Sequence, residues 1–521
     1  MSDCRADGSE MLDLVVIGAG PHALSLLTRI IDDQPDLRSE RERTHHAKRA
    51  GSRGHSHSQI RSHLRNRYDA AKLLPKTLVI DIHGTWMQEW KNNFQALGIE
   101  HTRSHADLHP CPFDFASLRE WTVTQKRQHE LWDMSYIDRE SSRKSGYAGP
   151  FMLVGVSLFN DFCDALVLRY NVAPLVRRGT VDQVIPVPSD DGDVCTFELN
   201  LRDGRKYLCR RVVCALGPGP MFSGMRSRLP DWAEDLQEEL EIAGVPQKLL
   251  HSQNIVPRLN SALRRTSTSA ELPPRGSRVL VIGGGQTAGH LALLGRRLGL
   301  HITIASRRNI CIKPYDVDLE LVGDHRADVL RRFWKLADPE ERVRFISDIR
   351  GGGSMSPEIY SELKKIEDGN ESELDECRME NAEWSRNNAD AYSVKLLQAT
   401  QVHDAKLSTE ISDADLVYKI EIRFDDNSTS IFDDIWLATG GVLDMNLVPL
   451  LALFKSHWPI PEFEGLPLLQ PDLSWDVKCP LYIMGAFAQM ELGPDALNLA
   501  GARSGSVLIA KSLIPFLRDE I

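Results

Sequence analysis

Two short glycine clusters carry the residue types that bind dinucleotides. In Asp13–Ile30, DLVVIGAGPHALSLLTRI, a short apolar run (Leu14–Ile17) runs into Gly18-Ala19-Gly20 and then into a helical pattern. A buried parallel strand that turns sharply into a helix needs glycine at the turn. It needs a second glycine where backbone approaches a pyrophosphate, and a small residue where helix packs on strand. Gly18, Gly20 and Ala23 fill these places, with Pro21 at the first helical position, and the unpaired N–H groups of the helix are left for phosphate. An ordinary tight strand–helix turn can also contain such a trio, so the second copy decides. In Arg278–Arg308 an apolar strand (Val279–Ile282) precedes Gly283, Gly285 and Ala288, with Gln286 and Thr287 opening the helix. A further strand, Ile302–Ala305, follows. Where an NAD site places a carboxylate for the ribose, this copy reads Ser306-Arg307-Arg308. Two guanidiniums there suit a 2′-phosphate, so the expected second dinucleotide is NADPH, the alternative being a solvated basic strand end.

The elements that must position these turns follow in order. Asp32–Lys76 is rich in Arg, His, Ser and Gly without an apolar period and is expected to be a flexible basic surface insertion. Its scattered histidines suggest no metal site. The interrupted unit resumes at Leu78–Asp81, 61 residues beyond Gly20. Asp81 then stands where the ribose of an FAD wants an acceptor, although an aspartate ending a strand can equally cap the next turn. Trp86, close behind, is placed beside the same cofactor. Thr180–Cys214 alternates as a small antiparallel sheet. The strand ending Ala438-Thr439-Gly440 and the turn Tyr482-Ile483-Met484-Gly485 repeat the strand-and-glycine device. Asn498 lies just ahead of a closing apolar helix.

The predicted class is α/β: two Rossmann-like dinucleotide-binding domains, for FAD and NADPH, with a helical insertion. Residues 10–225 form the first part of the FAD domain, with the insertion at 32–76. Residues 226–277 link to an NADPH domain at 278–430, whose helical insertion spans about 314–398, and 431–521 return to the FAD domain. The 521 residues allow two or three cores. A net charge of −11 argues against nucleic acid as partner, and no run of about 18 apolar residues offers a membrane span. Nine cysteines without a Cys-x-x-Cys pair suit a reducing, cytoplasmic setting and argue against disulfide exchange.

Taken together these motifs resemble NADPH-dependent flavoprotein monooxygenases, in particular the lysine/ornithine N-hydroxylase-like group. Gly18–Ser25 resembles its opening motif and Pro110–Leu118 its proline-rich loop before a helix. Asp433–Gly440 resembles its Ala-Thr-Gly strand, and Asn498–Arg503 its tail motif. Gly441 stands where the amino-acid N-hydroxylases carry Tyr, which points away from ornithine or lysine themselves. Phe222, Gly224, Arg228 and Trp232 partly echo the fingerprint of Baeyer–Villiger and flavin monooxygenases. The resemblance implies an oxidoreductase that passes hydride from NADPH to FAD. It would insert one oxygen atom of O2, through a C4a-hydroperoxyflavin, into a small soft nucleophile, an amine being favoured. Gly440, Gly485 and Asn498 would face the cofactors. His101, Asp114 and Asp316 would lie near the reacting ring, each having surface hydrogen bonding or capping as its ordinary alternative. Two other readings stay open: an NADPH oxidoreductase with another electron acceptor, and a regulatory flavoprotein resembling oxidative-stress-induced growth inhibitors. The sequence sets neither the substrate nor the oligomeric state.

Overall fold

The computed structural model describes residues 11–38, 55–134, 137, 151–189, 192–217, 225–263, 272–323, 325–369, 392–412 and 415–518. The acidic run after Gly369, most of the linker's Ser/Pro-rich part, and Phe222 and Gly224 lie outside these residues.

Apolar runs bounded by glycine become central strands of two parallel sheets, as continuous burial on both faces requires. The first sheet runs Ser474–Asp476, Cys479–Ile483, Lys206–Cys214, Leu12–Ile17, Thr77–Asp81, Val176–Arg178. The antiparallel hairpin Val181–Pro188 and Val194–Leu201 is attached beside Lys206–Cys214. Leu14, Val15 and Val16 are fully buried at its centre. Ile17 pairs in parallel register with Ile80 and with Cys214, and Cys214 with Ile483, so four strands end together at one edge. The second sheet is wholly parallel: Leu249–His251, Asp434–Leu437, Arg278–Ile282, His301–Ser306, Val394–Gln398. A three-stranded meander, Val402–Ser412, Asp415–Phe424 and Thr429–Phe432, sits beside it. This is the expected two-unit α/β architecture, with helices Arg326–Lys335, Pro339–Arg350 and Pro357–Glu367 forming the expected insertion.

Three boundaries differ from expectation. Strand Asp434–Leu437, read from sequence as part of the return segment, hydrogen-bonds into the second sheet between Leu249–His251 and Arg278–Ile282. The linker, for its part, supplies the edge strand Leu249–His251 and the helices Asp231–Ile242 and Ser252–Leu263. Within the basic insertion, residues 55–76 are folded rather than loop. Helix His57–His63 opens with a capping box between Ser56 and Gln59. His63 is buried, stacks on Phe113 with ring centroids 3.7 Å apart, and donates to Asp32 Oδ2 at 3.0 Å. Asp32 also accepts from the Tyr170 hydroxyl at 2.5 Å. This segment is held by buried polar partners, which leave no apolar period to read.

Candidate active site

At the first glycine turn, Gly18 has φ +103° and a β-carbon there would lie 2.4 Å from the Ala215 carbonyl oxygen. Only glycine fits. At Gly20 the same construction meets nothing within 4 Å, so the N-terminus of helix Pro21–Ile31 opens onto space. No side chain caps that helix, so its first N–H groups are left for an incoming acceptor. Asp81 Oδ2 accepts from Ala19 N–H (3.1 Å) and its Oδ1 from His83 N–H (2.8 Å), and Met87 N–H donates to the Ala19 carbonyl (2.8 Å). Asp81 thus both ties the turn and presents a carboxylate at the strand end. Ala23 is fully buried against the strands. His22 Nδ1 is buried and has no hydrogen-bond partner among the described residues. Burial holds its pKa down to about 4, against a smaller upward pull from the Leu497 backbone. The missing β-carbon of Gly485, φ +84°, points at the His22 ring from 3.8 Å, so the return segment closes on the first turn. The open, uncapped helix end fits a dinucleotide diphosphate and the strand-end carboxylate a ribose hydroxyl, while His22 keeps one ring nitrogen, Nδ1, without a partner among the described residues. Trp86 stands apart from this arrangement: it is buried in the core, with its N–H spent on the Val172 carbonyl at 3.2 Å.

The second turn repeats the first. Gly283 has φ +144°, and a β-carbon would lie 2.4 Å from the Ala438 carbonyl oxygen. Gly285 precedes helix Gln286–Arg297, again without a side-chain cap, and Ala288 is fully buried while Thr287 is exposed. Ser306 ends the neighbouring strand next to Gly284 and donates to the Arg308 carbonyl at 2.8 Å. Arg307 and Arg308 are exposed there, and their guanidinium groups have no partner among the described residues. Gly440, φ +75°, accepts at its carbonyl from Arg228 N–H and His251 Nε2, both at 3.1 Å. Gln286 is engaged on all sides: Oε1 accepts from Ser356 N–H at 2.7 Å, and Nε2 donates to His290 Nε2 at 3.1 Å. That bond needs a neutral His290, and burial, aided by Arg297 and Arg103, lowers its pKa to about 4.

Burial pushes the Asp316 carboxyl up, Arg350 opposes this, and Asp495 adds to it. Asn498, far from Asp316 in sequence, comes close enough to draw the same carboxyl slightly down. Asn498 Nδ2 donates to Asp495 Oδ1 at 3.1 Å, and its Oδ1 caps Ala500 N–H at 2.9 Å, opening helix Leu499–Arg518. Asp495, almost fully buried, is ion-paired with Arg326. The other two candidates lie elsewhere. His101 pairs with Gly155, packs edge-on to Trp132 at 4.9 Å, and lines a cleft facing helices Gln286–Arg297 and Pro357–Glu367. Asp114 accepts from the backbone and ring of His55 (3.2 and 3.0 Å) and caps Ala116 N–H (2.8 Å). The proline-rich loop is held by Arg503, which donates to the His109 and Cys111 carbonyls at 3.0 and 2.5 Å and lies over Phe115 at 4.3 Å. Thr28 donates to the Pro110 carbonyl at 2.9 Å. Sequence reading passed over His22 inside its own motif, and over Arg103 and the Gly351–Ser354 run. The run of three glycines was the available signal for the last.

No protein-family model matches the chain, and no curated protein matches it in sequence. Solved structures do match over nearly its whole length. Ornithine hydroxylase from Pseudomonas aeruginosa aligns at TM-score 0.57 and 15% identity, covering 98% of this chain and 100% of its own. An ornithine N-hydroxylase from Kutzneria sp. 744, in complex with reduced FAD, NADP+ and L-ornithine, aligns at 0.58 and 15%, covering 98% and 100%. L-lysine 6-monooxygenase from Pseudomonas syringae aligns at 0.55 and 15%, covering 97% and 99%. The chain has the fold of these proteins.

Proposed function

We propose that this chain is an FAD- and NADPH-dependent monooxygenase that hydroxylates the nitrogen of a small amine with O2. The observation that carries the reading is the pair of uncapped glycine turns on two sheets with parallel centres, the first open at Gly20 and the second bordered by Gly353, only the second flanked by a free arginine pair. That asymmetry suits FAD at the first turn and a 2′-phosphorylated dinucleotide at the second. FAD, when bound, supplies the redox and oxygen chemistry. Gly18 and Gly283 let backbone carbonyls come close behind the turns, while Gly20 and Gly285 leave helix N–H groups for phosphate oxygens. Asp81 would accept from a ribose hydroxyl. Asp316, its carboxyl pushed up by burial, accepts a hydrogen bond from the substrate amine and takes its proton at a carboxylate oxygen, since only the neutral amine is nucleophilic. The absence of a cysteine pair among the described residues, Cys111, Cys163, Cys209, Cys214, Cys311 and Cys479 being free, gives no support to disulfide reduction. No helix among the described residues is long and apolar enough to cross a membrane. With the unpaired cysteines, that supports a cytoplasmic location.

The test is stoichiometry. Purified, FAD-loaded protein is supplied with NADPH, O2 and a panel of small amines, and hydroxylamine product and peroxide are counted against NADPH consumed. Product matching NADPH for one amine is the expected result. Peroxide alone, with every amine, sulfide and ketone offered, transfers the reading to electron transfer without oxygen insertion.

A further inference from the structure

Arg103 belongs to the segment that follows the second strand of the first sheet, yet its guanidinium reaches into the second unit. Nη1 donates to the Ser354 carbonyl at 2.9 Å, and Nη2 donates to the Ser354 hydroxyl at 3.0 Å and to the Lys313 carbonyl at 2.7 Å. Ser354 and Ser356 are buried and Met355 is fully so. The same stretch is laced to its neighbour by Lys313 N–H to Met355 O (3.0 Å) and Met355 N–H to Cys311 O (2.8 Å). One residue upstream, Gly353 lies against the second glycine turn: a β-carbon on Gly353 would sit 3.3 Å from the Gly285 Cα, and one on Gly285 would sit 3.4 Å from the Gly353 Cα. Two residues downstream, Ser356 N–H donates to Gln286. The loop from Gly351 to Ser356 therefore borders the Gly285 backbone and the Gln286 side chain, and Arg103 fixes it from the other unit.

We propose that Arg103 is a positioning residue for the second dinucleotide: it holds the Gly351–Ser356 loop as the wall beside the uncapped turn at Gly285. This rests on the NADPH reading above. The wall borders the turn that receives the pyrophosphate, which NADP+ and NAD+ share, whereas Arg307 and Arg308 stand at the strand end that receives the 2′-phosphate. The two sets of arginines thus act on different parts of the ligand. A planar fork matched to two carbonyls and a hydroxyl is not replaced by one ammonium.

The experiment is titration calorimetry of FAD-loaded protein with NADP+ and, separately, NAD+, together with flavin content and visible spectrum. Arg103→Met is expected to weaken both dinucleotides tenfold or more and by the same factor, leaving their affinity ratio unchanged. Arg103→Lys should recover part of the loss, and the flavin spectrum should stay as in the wild type. Gly353→Ala tests the same wall without touching Arg103 and should weaken both ligands as well. Dissociation constants within twofold of wild type in Arg103→Met and Gly353→Ala, with flavin retained, overturn the proposal. So does tighter binding, which would make the loop an obstruction. If the wild-type protein itself binds neither dinucleotide, the NADPH reading fails first and takes this one with it.

Discussion

Replacing Arg307 and Arg308 together by alanine tests the choice of dinucleotide. Both side chains are exposed at the end of His301–Ser306, and neither has a partner among the described residues, so their removal breaks no internal contact. A hydrogen bond to a charged group is worth roughly 1.5–3 kcal/mol, and an exposed ion pair only about 0.2–1 kcal/mol. A phosphate held on the surface by a fork falls between, at about 1–1.5 kcal/mol per arginine, or roughly 2–3 kcal/mol for the pair. At about 1.4 kcal/mol per tenfold, the NADP+ dissociation constant should rise about 30- to 150-fold. NAD+ lacks the 2′-phosphate and should change less than about twofold. Calorimetry on the FAD-loaded protein reads both constants directly. Salt gives an internal check, because the Debye length falls from about 10 Å at 0.1 M to about 3 Å at 1 M. The wild-type preference for NADP+ should shrink over that range and the variant's should not. Equal weakening of NADP+ and NAD+ in the variant refutes the reasoning, since the arginines would then be supporting the fold or the pyrophosphate rather than reading the 2′ position.

Gly20→Ala adds a β-carbon that meets no protein atom, so the protein should fold with an unchanged melting temperature yet purify without flavin. Gly18→Ala, with φ +103° and a β-carbon 2.4 Å from Ala215 O, should instead lower the melting temperature by an amount corresponding to about 1–3 kcal/mol or more. Asp434 is buried in the second sheet, and burial raises its pKa to about 6, Lys248 and Lys419 opposing and Asp433 assisting. Its folded form therefore holds a proton that the unfolded chain gives up near pH 4; this contribution is greatest below pH 4 and is lost as pH rises through about 6. Asp434→Asn should remove that loss, gaining at most about 3 kcal/mol at pH 8 and nothing at pH 4 in denaturant titrations, whereas an equal effect at both pH values would sink the assignment. Arg350 stabilises the ionised form of Asp316, so Arg350→Met should move the acidic limb of kcat/KM for the amine to higher pH; an unmoved limb would show that Asp316 does not carry it.

What the sequence showed plainly was local. Each glycine turn joins a strand and a helix that are contiguous in the chain, so Gly18, Gly20, Gly283 and Gly285 could be placed from spacing alone. Asp81 could be found across the insertion because strand Thr77–Asp81 announces itself by composition. Long-range choices were not legible. Strand Asp434–Leu437 could join either sheet by its own residues. Its side was decided by pairing with Leu249–His251 and Arg278–Ile282, elements more than a hundred residues away. Trp86 lies near enough to the first turn in sequence to suggest a cofactor contact, but its N–H found the Val172 carbonyl in the core. His101 and Asp114 make their contacts with Gly155, Trp132 and His55, while Asp316 comes near Asn498, 182 residues further on, only because the helical insertion folds back onto the return segment.

That fold-back has a physical logic. Arg326 pairs with Asp495, Arg342 donates to Glu491 at 2.9 Å and to the Met490 carbonyl at 2.7 Å, and Arg350 donates to the Pro494 carbonyl at 3.1 Å. Trp334 adds a bond to the Glu491 carbonyl at 3.0 Å. Three arginines from the insertion of the second unit thus grip one six-residue stretch, 490–495, of the first unit's return segment. From the opposite side Arg103 of the first unit grips the loop at Gly353 in the second. Two sheets that merely touched could slide, and a carboxylate such as Asp316, placed between them, would not keep a fixed distance from either glycine turn. Guanidinium forks set against backbone carbonyls resist sliding because each fork loses several directed bonds at once. The insertion ties the unit that carries the turn at Gly20 to the unit that carries the turn at Gly285, and a direct transfer between dinucleotides held at both would depend on that spacing.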